Sequence, residues 1–516
     1  MLFSVFMSFA PILLILVFML VLNKSVNLSG FVSWLAASLI AIYFFHTSVE
    51  IVWKSTLAGL LSSLPVALVV LTSIWQISYM ESVGALKRVV VFVKTLACSN
   101  RAVQIMMVNM GIGTLLVSVG ATPVSILPPI LVAMGYSTFI AVALPALGFD
   151  ALCTFSLLGA PIVVFSDMAK ISLPEAGLIF AKYLPLISTL LALSMLWLVG
   201  GLKEVKKGLV PAIITGIVIG LTAICMNKIG AVVLTGAIAG IMTILVMAVY
   251  LKVFGQKVID RTCLNELDLQ TEKDMPLYRA LSPWLILIAS TMVINFTPSL
   301  FDFFYKTMSM PVEIIPGQPI KTRVLWNAYT WIVLSTIISI PILKASPKQV
   351  FSSLGKTMVR APKPVFSAAV FFAIAYVMNN SGFTVTPGGW QLFDGTKNMI
   401  YILASSSADF FQSFYPLVAG YLGLLGGFIT GSEASTIAMF TKYNFNTAAL
   451  LHLSPIIISA GTAIGGGLAS VISPAKLQNA AATIDAMGIE NKVIKTTFLI
   501  SIFLTGFAAL LTQLWA

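Results

Sequence analysis

The chain has 516 residues, 59% hydrophobic and 9% charged, with a mean hydropathy of +1.00. Soluble domains carry about 25% charged residues, so the composition excludes a soluble globular protein and points to an all-α polytopic membrane protein. A β-barrel would show segments of about 10 residues with alternating polarity, which are missing. The formal net charge of +12 does not signal nucleic acid, because the basic residues cluster in loops between apolar segments, which is how topology is encoded.

The first apolar run, residues 1–22, has no Lys or Arg before it and Lys24 just after. A signal peptide has a basic start and a shorter apolar stretch, so this run reads as a retained helix with its N-terminus outside. Apolar windows of about 20 residues mark spans. They fall near 2–22, 30–46, 57–79, 138–166, 177–199, 209–226, 230–251, 281–297, 323–342, 364–380, 447–472 and 494–514. Two further apolar stretches, about 103–133 and 416–441, carry polar centres. With an outside N-terminus and both stretches returning to the side they left, 21 of the 30 basic residues fall in inside loops. Residues 254–280 form the longest hydrophilic stretch and read as a cytoplasmic linker.

Cys98, Cys153, Cys225 and Cys263 are scattered without a C-x-x-C pair, and His46 and His452 are the only histidines. No disulfide, metal site or cofactor is expected. Against an integral membrane enzyme, the sequence shows no histidine–acid pair, metal cluster or nucleophile motif.

The stretch Leu417 to Lys442 places Gly431-Ser432-Glu433-Ala434-Ser435-Thr436 at its centre. Irregular backbone at membrane depth is tolerated only where protein buries it or it lines a wet cavity, so this reads as a re-entrant hairpin. The stretch Val103 to Gly135 has its own break, Ser118 to Ser125, where Thr122-Pro123 looks like an N-cap and first helical residue. The following helices are interrupted too, at Gly148-Phe149-Asp150 and Gly159-Ala160-Pro161 in the first half. In the second half the interruptions are at Gly461 to Gly467 and at Ser473-Pro474, the latter reading as a helix end. Corresponding elements run in opposite directions across the membrane. The expectation is an inverted repeat, 1–200 against 281–516 with 201–280 joining them, of the elevator-like kind in which half-helix N-termini face an anionic substrate near the midplane.

Several segments also resemble the L-lactate permease family: Gly120-Ala121-Thr122-Pro123-Val124 with Met134-Gly135-Tyr136, Leu158 to Ile162, Tyr376 to Gly382, Leu425 to Phe440, and Gly465-Gly466 with Ile472-Ser473-Pro474. The resemblance implies uptake of L-lactate, glycolate or a related short monocarboxylate across the cell membrane by proton symport. The chain departs from the family where a Glu-Gly-Ala run would precede the first tip, which here reads Leu115 to Ser118. It departs again where a Gly-Lys pair falls on Ala469-Ser470, and where an Asn-Thr pair falls on Phe149-Asp150.

These readings nominate a substrate site of Gly120, Thr122, Ser125, Ser432, Ser435, Thr436, Thr462, Gly465 and Gly466, with Asp150 and Glu433 for the coupling ion. Each has a plainer reading beside it: capping for the hydroxyls, close helix packing for the glycines, and dipole compensation for Glu433. Co-transport is expected physically, because an anion entering a negative cell costs about 2.3 kcal/mol per 100 mV. Na⁺ in place of H⁺, another small organic anion, and an ion channel or anion exporter are the alternatives. A scaffold of this type often forms a homodimer, and no segment specifies an interface.

Overall fold

The computed structural model describes residues 2–22, 24–150, 153–387 and 389–516; the side chains of Leu20, Phe149, Asp150 and Ala475 lie outside the described set. Asp150 ends the helix Thr138–Asp150, and its expected role therefore falls on a side chain outside the described residues.

The chain is nearly all helix. Among the described residues ten helices are long and apolar enough to cross a bilayer, or up to twelve if each of two bent pairs is one span. Helix is the form that satisfies every backbone group within a single apolar segment. The first bent pair, Thr138–Gly148 with Cys153–Ala169, turns through 66°. Its Leu157, Leu158 and Gly159 all have positive φ. The left-handed conformation costs about 1–2 kcal/mol per non-glycine residue, so surrounding structure must hold this turn in place.

Both polar-centred stretches fold as hairpins. In the first, Arg101–Ser118 and Pro123–Ala133 are joined by a four-residue turn. The Arg101 guanidinium lies 4.7 Å from the centre of the Tyr136 ring, and the Tyr136 hydroxyl donates to Gln104 Oε1 at 3.0 Å. The two ends of residues 101–136 thus meet. In the second, Tyr415–Thr430 and Glu433–Leu451 are joined by Gly431-Ser432. The Tyr415 hydroxyl donates to Asn444 Oδ1 at 2.7 Å.

The last helix, Glu490–Trp515, serves as a ruler. Its 26 residues span about 39 Å at 1.5 Å per residue. Lys492, at its start, lies 5.6 Å from the Phe139 ring beside the mouth of hairpin 1. At its end Gln513 donates to the Ser413 carbonyl, and the Ala516 carbonyl accepts from the Ser454 amide, on either side of hairpin 2. The hairpins therefore open at opposite ends of this helix.

Several features differ from the sequence reading. Gly461 to Gly467 does not interrupt its helix, because Pro455–Leu468 runs straight through it and the glycines serve close packing. Hairpin 2 runs on to Leu451 rather than ending near 441. Residues 442–446 fall between the apolar stretch 416–441 and the expected span at 447–472, which instead starts at Pro455. Partner helices absorb the polarity of the added turns, since Lys442 Nζ donates to the Asn379 carbonyl and Asn444 Nδ2 to Thr462 Oγ1. Ser473-Pro474 does not end its helix either. After a short 3₁₀ turn, Ser470–Ile472, a new helix Pro474–Ala482 starts there. Lastly, the expected span near 323 begins at Ala328, and an antiparallel hairpin, Met310–Ile315 with Gln318–Thr322, precedes it.

The linker is anchored to the segment before hairpin 1. Leu96 pairs with Ile259, Lys94 Nζ bonds both Asp268 carboxylate oxygens at 3.0 Å, and Arg88 bonds Glu272 and the Met275 carbonyl.

Candidate functional site

Hairpin 2 delivers one carboxylate to the protein interior. Gly431 takes a positive φ of 66°, and Ser432 caps the following helix by accepting from the Ser435 amide at 3.3 Å. Thr436 Oγ1 and Thr430 Oγ1 both donate to the Ser432 carbonyl, at 3.0 and 2.9 Å. This closed turn sets Glu433 at the first helical position, where it is only 2% exposed. The carboxylate is met by the broken helix of the first half: Thr154 Oγ1 donates to Glu433 Oε1 at 2.8 Å. Its other oxygen faces Gly467, where a Cβ would stand 2.8 Å away. A charge enclosed in this way needs a counter-charge, a hydrogen-bond shell or a proton.

The glycines on the helix Pro455–Leu468 are packing positions. A Cβ on Gly465 would strike the Gly420 carbonyl, and one on Gly466 would press on the Thr436 side chain. Thr462 donates to the Ile458 carbonyl and accepts from Asn444, so it ties hairpin 2 to this helix. Ser435 Oγ is buried without a hydrogen-bond partner among the described residues.

Hairpin 1 is finished differently. Gly120 has φ 86°, and a Cβ there would collide with Ser73 Oγ, so the tip sits directly on the long helix Val49–Ser82. Thr122 precedes Pro123 as expected, yet its side chain makes no capping bond. Thr122 is exposed and Ser125 half-buried, and Ser125 Oγ donates to Thr122 Oγ1 at 3.2 Å.

The residues that join the two tips were not read from the sequence. Cys153 Sγ lies 3.7 Å from Ser470 Oγ, Lys476 Nζ donates to Ser470 Oγ at 2.8 Å, and Asn479 Nδ2 donates to Ser125 Oγ at 2.8 Å. With the Thr154–Glu433 bond these contacts form a polar chain running from tip 2, through both broken helices, to tip 1. Lys476 looked like a basic residue of a cytoplasmic loop. The missed signal was Ser473-Pro474, which has the same N-cap and first-turn pattern as Thr122-Pro123 and would have placed Lys476 in a helical first turn.

The sequence pattern of the L-lactate permease family matches residues 4–516. The chain belongs to that family. It is similar to glycolate permease GlcA of Escherichia coli (strain K12), 23% identical over 554 residues that cover 99% of this chain and 96% of that protein. It is similar also to the L-lactate permease of the same strain, 22% identical over 541 residues covering 97% and 94%. The L-lactate permease of Bacillus subtilis (strain 168) is 21% identical over 536 residues, 95% and 92%. This member of the L-lactate permease family is thus a multi-pass membrane transport protein. Of its family-like segments, Tyr376 to Gly382 lies away from the tips. The Tyr376 hydroxyl pairs with Ser62 Oγ at 2.7 Å and Asn380 Nδ2 donates to Ser55 Oγ at 3.2 Å, fastening Pro362–Asn379 to Val49–Ser82.

Proposed function

We propose that the protein is a secondary carrier of L-lactate, glycolate or a related short monocarboxylate in the cell membrane, driven by proton symport. The observation that carries this reading is the buried carboxylate of Glu433, held at a hairpin tip by Thr154 and joined by a polar chain to a second tip. Two helices reach this region with N-termini that lack a side-chain cap, Pro123–Ala133 and Pro474–Ala482. Unfilled N-termini favour anions. The names of the relatives, L-lactate permease and glycolate permease, supply the substrate class.

In this reading Glu433 carries the proton, with Asp150 as a second coupling group, and the tips with Thr122, Ser125, Ser432 and Ser435 surround the anion. Gly120, Thr436, Thr462, Gly465 and Gly466 hold the hairpins in shape around it. The two hairpins and their broken helices are the halves of an inverted repeat. They move together against a scaffold built on Val49–Ser82 and Pro362–Asn379, which pack along one another. The mouth of hairpin 1 faces the cytoplasm and the N-terminus lies outside, as the basic-residue bias requires.

The test is uptake of labelled L-lactate into proteoliposomes under an imposed pH or Na⁺ gradient. Acceleration by an inward proton gradient supports symport. Acceleration by Na⁺ alone replaces the proton with Na⁺, and indifference to both gradients overturns the coupling.

A further inference from the structure

The short helix Pro474–Ala482 belongs to neither hairpin, yet it lies against the arm that carries tip 1 and follows the break at Ser470–Ile472. It packs on Pro123–Ala133 and on Thr138–Asp150. Lys476 and Asn479 lie three residues apart on it and reach in two directions, to Ser470 at the break and to Ser125 at tip 1. Side chains so spaced are neighbours on one helix face, with Cβ atoms about 5–6 Å apart.

The surroundings show where a ligand would come from. Thr122, Pro129, Val132 and Ala133 are exposed along one side of the second arm of hairpin 1, and Gln478, Asn479 and Ala482 are exposed on the short helix. The Asn479–Ser125 bond is itself exposed. Polar groups at the depth of a hairpin tip are not tolerated against lipid, so Thr122, Gln478 and Asn479 require water on this side of tip 1. Lys476, one turn before Asn479, is half-buried and bonds Ser470, whose hydroxyl lies 3.7 Å from Cys153 Sγ, next to the Thr154 that holds Glu433.

We propose that Lys476 receives the carboxylate of the transported anion and that Asn479, with Ser125, receives the hydroxyl on the adjacent carbon, so that this helix selects short 2-hydroxymonocarboxylates. An ammonium bonded to a serine hydroxyl gains by adding a carboxylate partner, because opposite charges attract where a neutral hydroxyl does not. An amide and a hydroxyl together offer both donors and acceptors, which is what a substrate hydroxyl needs. The close spacing of the two side chains suits groups on adjacent carbons and places the carboxylate at the Glu433 end. The proposal rests on the carrier reading above and adds the residues that define its substrate.

The experiment measures competition against labelled L-lactate counterflow by L-lactate, lactamide (no carboxylate) and propionate (no hydroxyl). Wild type is expected to prefer lactate over both analogues. Lys476→Gln should lose the preference over lactamide by about ten-fold or more, the worth of one charged hydrogen bond, while keeping the preference over propionate. Asn479→Ala should do the reverse, and Lys476→Arg should retain the carboxylate preference with a shifted KM. Ligand-free thermal stability confirms that each variant is folded. If Lys476→Gln does not fold, Lys476→Met takes its place in the same competition, with the same expected loss. A folded variant at either position with wild-type discrimination overturns that residue's role. A wild type that shows no L-lactate counterflow overturns the carrier reading itself.

Discussion

Hairpin 1 turns through Val119 to Thr122 and leaves Thr122 exposed, whereas hairpin 2 turns through Gly431 and Ser432 and buries every residue from Glu433 to Phe440. The first arm of hairpin 1 is irregular, with a π-helical stretch Met106–Ile112, and its second arm carries Pro128-Pro129. Hairpin 2 has continuous arms and a tip capped by Ser432. Tip 1 leaves a hydroxyl residue exposed, whereas tip 2 buries a carboxylate directly after its half-buried turn. On the carrier reading, this asymmetry marks a state open toward the mouth of hairpin 1, with the sealed tip acting as the floor of the site.

Close packing is where the contrast should break most sharply. A Cβ on Gly423 would strike the Thr462 carbonyl and one on Gly427 the Gly466 carbonyl, backbone atoms that cannot step aside. Gly423→Val or Gly427→Val is expected to abolish folded protein, read by size-exclusion chromatography, since overpacking by even a methyl group costs about 1–3 kcal/mol. In hairpin 1 a Cβ on Gly113 meets only ordinary contacts at 3.7 and 3.9 Å. Gly113→Ala should therefore leave expression intact and raise stability by up to about 1 kcal/mol.

Glu433→Gln comes next. Gradient-driven uptake should fall to the level of empty liposomes while lactate counterflow persists, since the variant keeps the shape of the tip and loses the proton carrier. If gradient-driven uptake survives, Glu433 is not the coupling group and hairpin 2 is only a seal.

The tips themselves give a smaller difference. Ser432→Ala removes a capping bond and should cost about 1 kcal/mol, seen as a lowered unfolding midpoint. Thr122→Ala removes no capping bond and should change stability by less than about 0.5 kcal/mol. Equal losses at both positions would erase the distinction between a capped and an open tip.

The smallest expected effect concerns the brace beside hairpin 1. The Cys98 thiol is pushed up to about 12 by burial and by the neighbouring Cys263 thiol. Thiolate is the reactive form, so at pH 8 Cys98 is protonated and should react with maleimide far more slowly than exposed Cys263. The lag should narrow as pH rises. Equal rates at pH 8 would show that the linker does not stay docked on this segment.

The hairpins were legible because glycines, hydroxyls and a glutamate stand where a membrane helix has no use for them. Lys476 was not, because a proline following a serine starts a helix as readily as one follows its end, and only the residues packed against it decide. Lys442 to Phe445 looked like a break between hairpin and span because the polar groups of Lys442 and Asn444 are satisfied by helices distant in sequence. The strands around Pro316-Gly317 were marked by a turn pair but lay outside the apolar windows that guided the reading. Thr154 carried no local signal at all, since its partner is 279 residues away.

That last distance sets a schedule for synthesis. At about 5–20 residues per second, roughly 15–55 s separate the emergence of Thr154 from that of Glu433. Through that interval the newly inserted first half must stand without its acidic partner. It has the contacts to do so: Gly148 packs against the backbone of Asn109, and Gly236 against Ser118 and the Phe155 carbonyl. Those neighbours are all made before residue 253. The bent helix can therefore adopt its shape early and wait, so that hairpin 2, arriving late, inserts into a socket already formed.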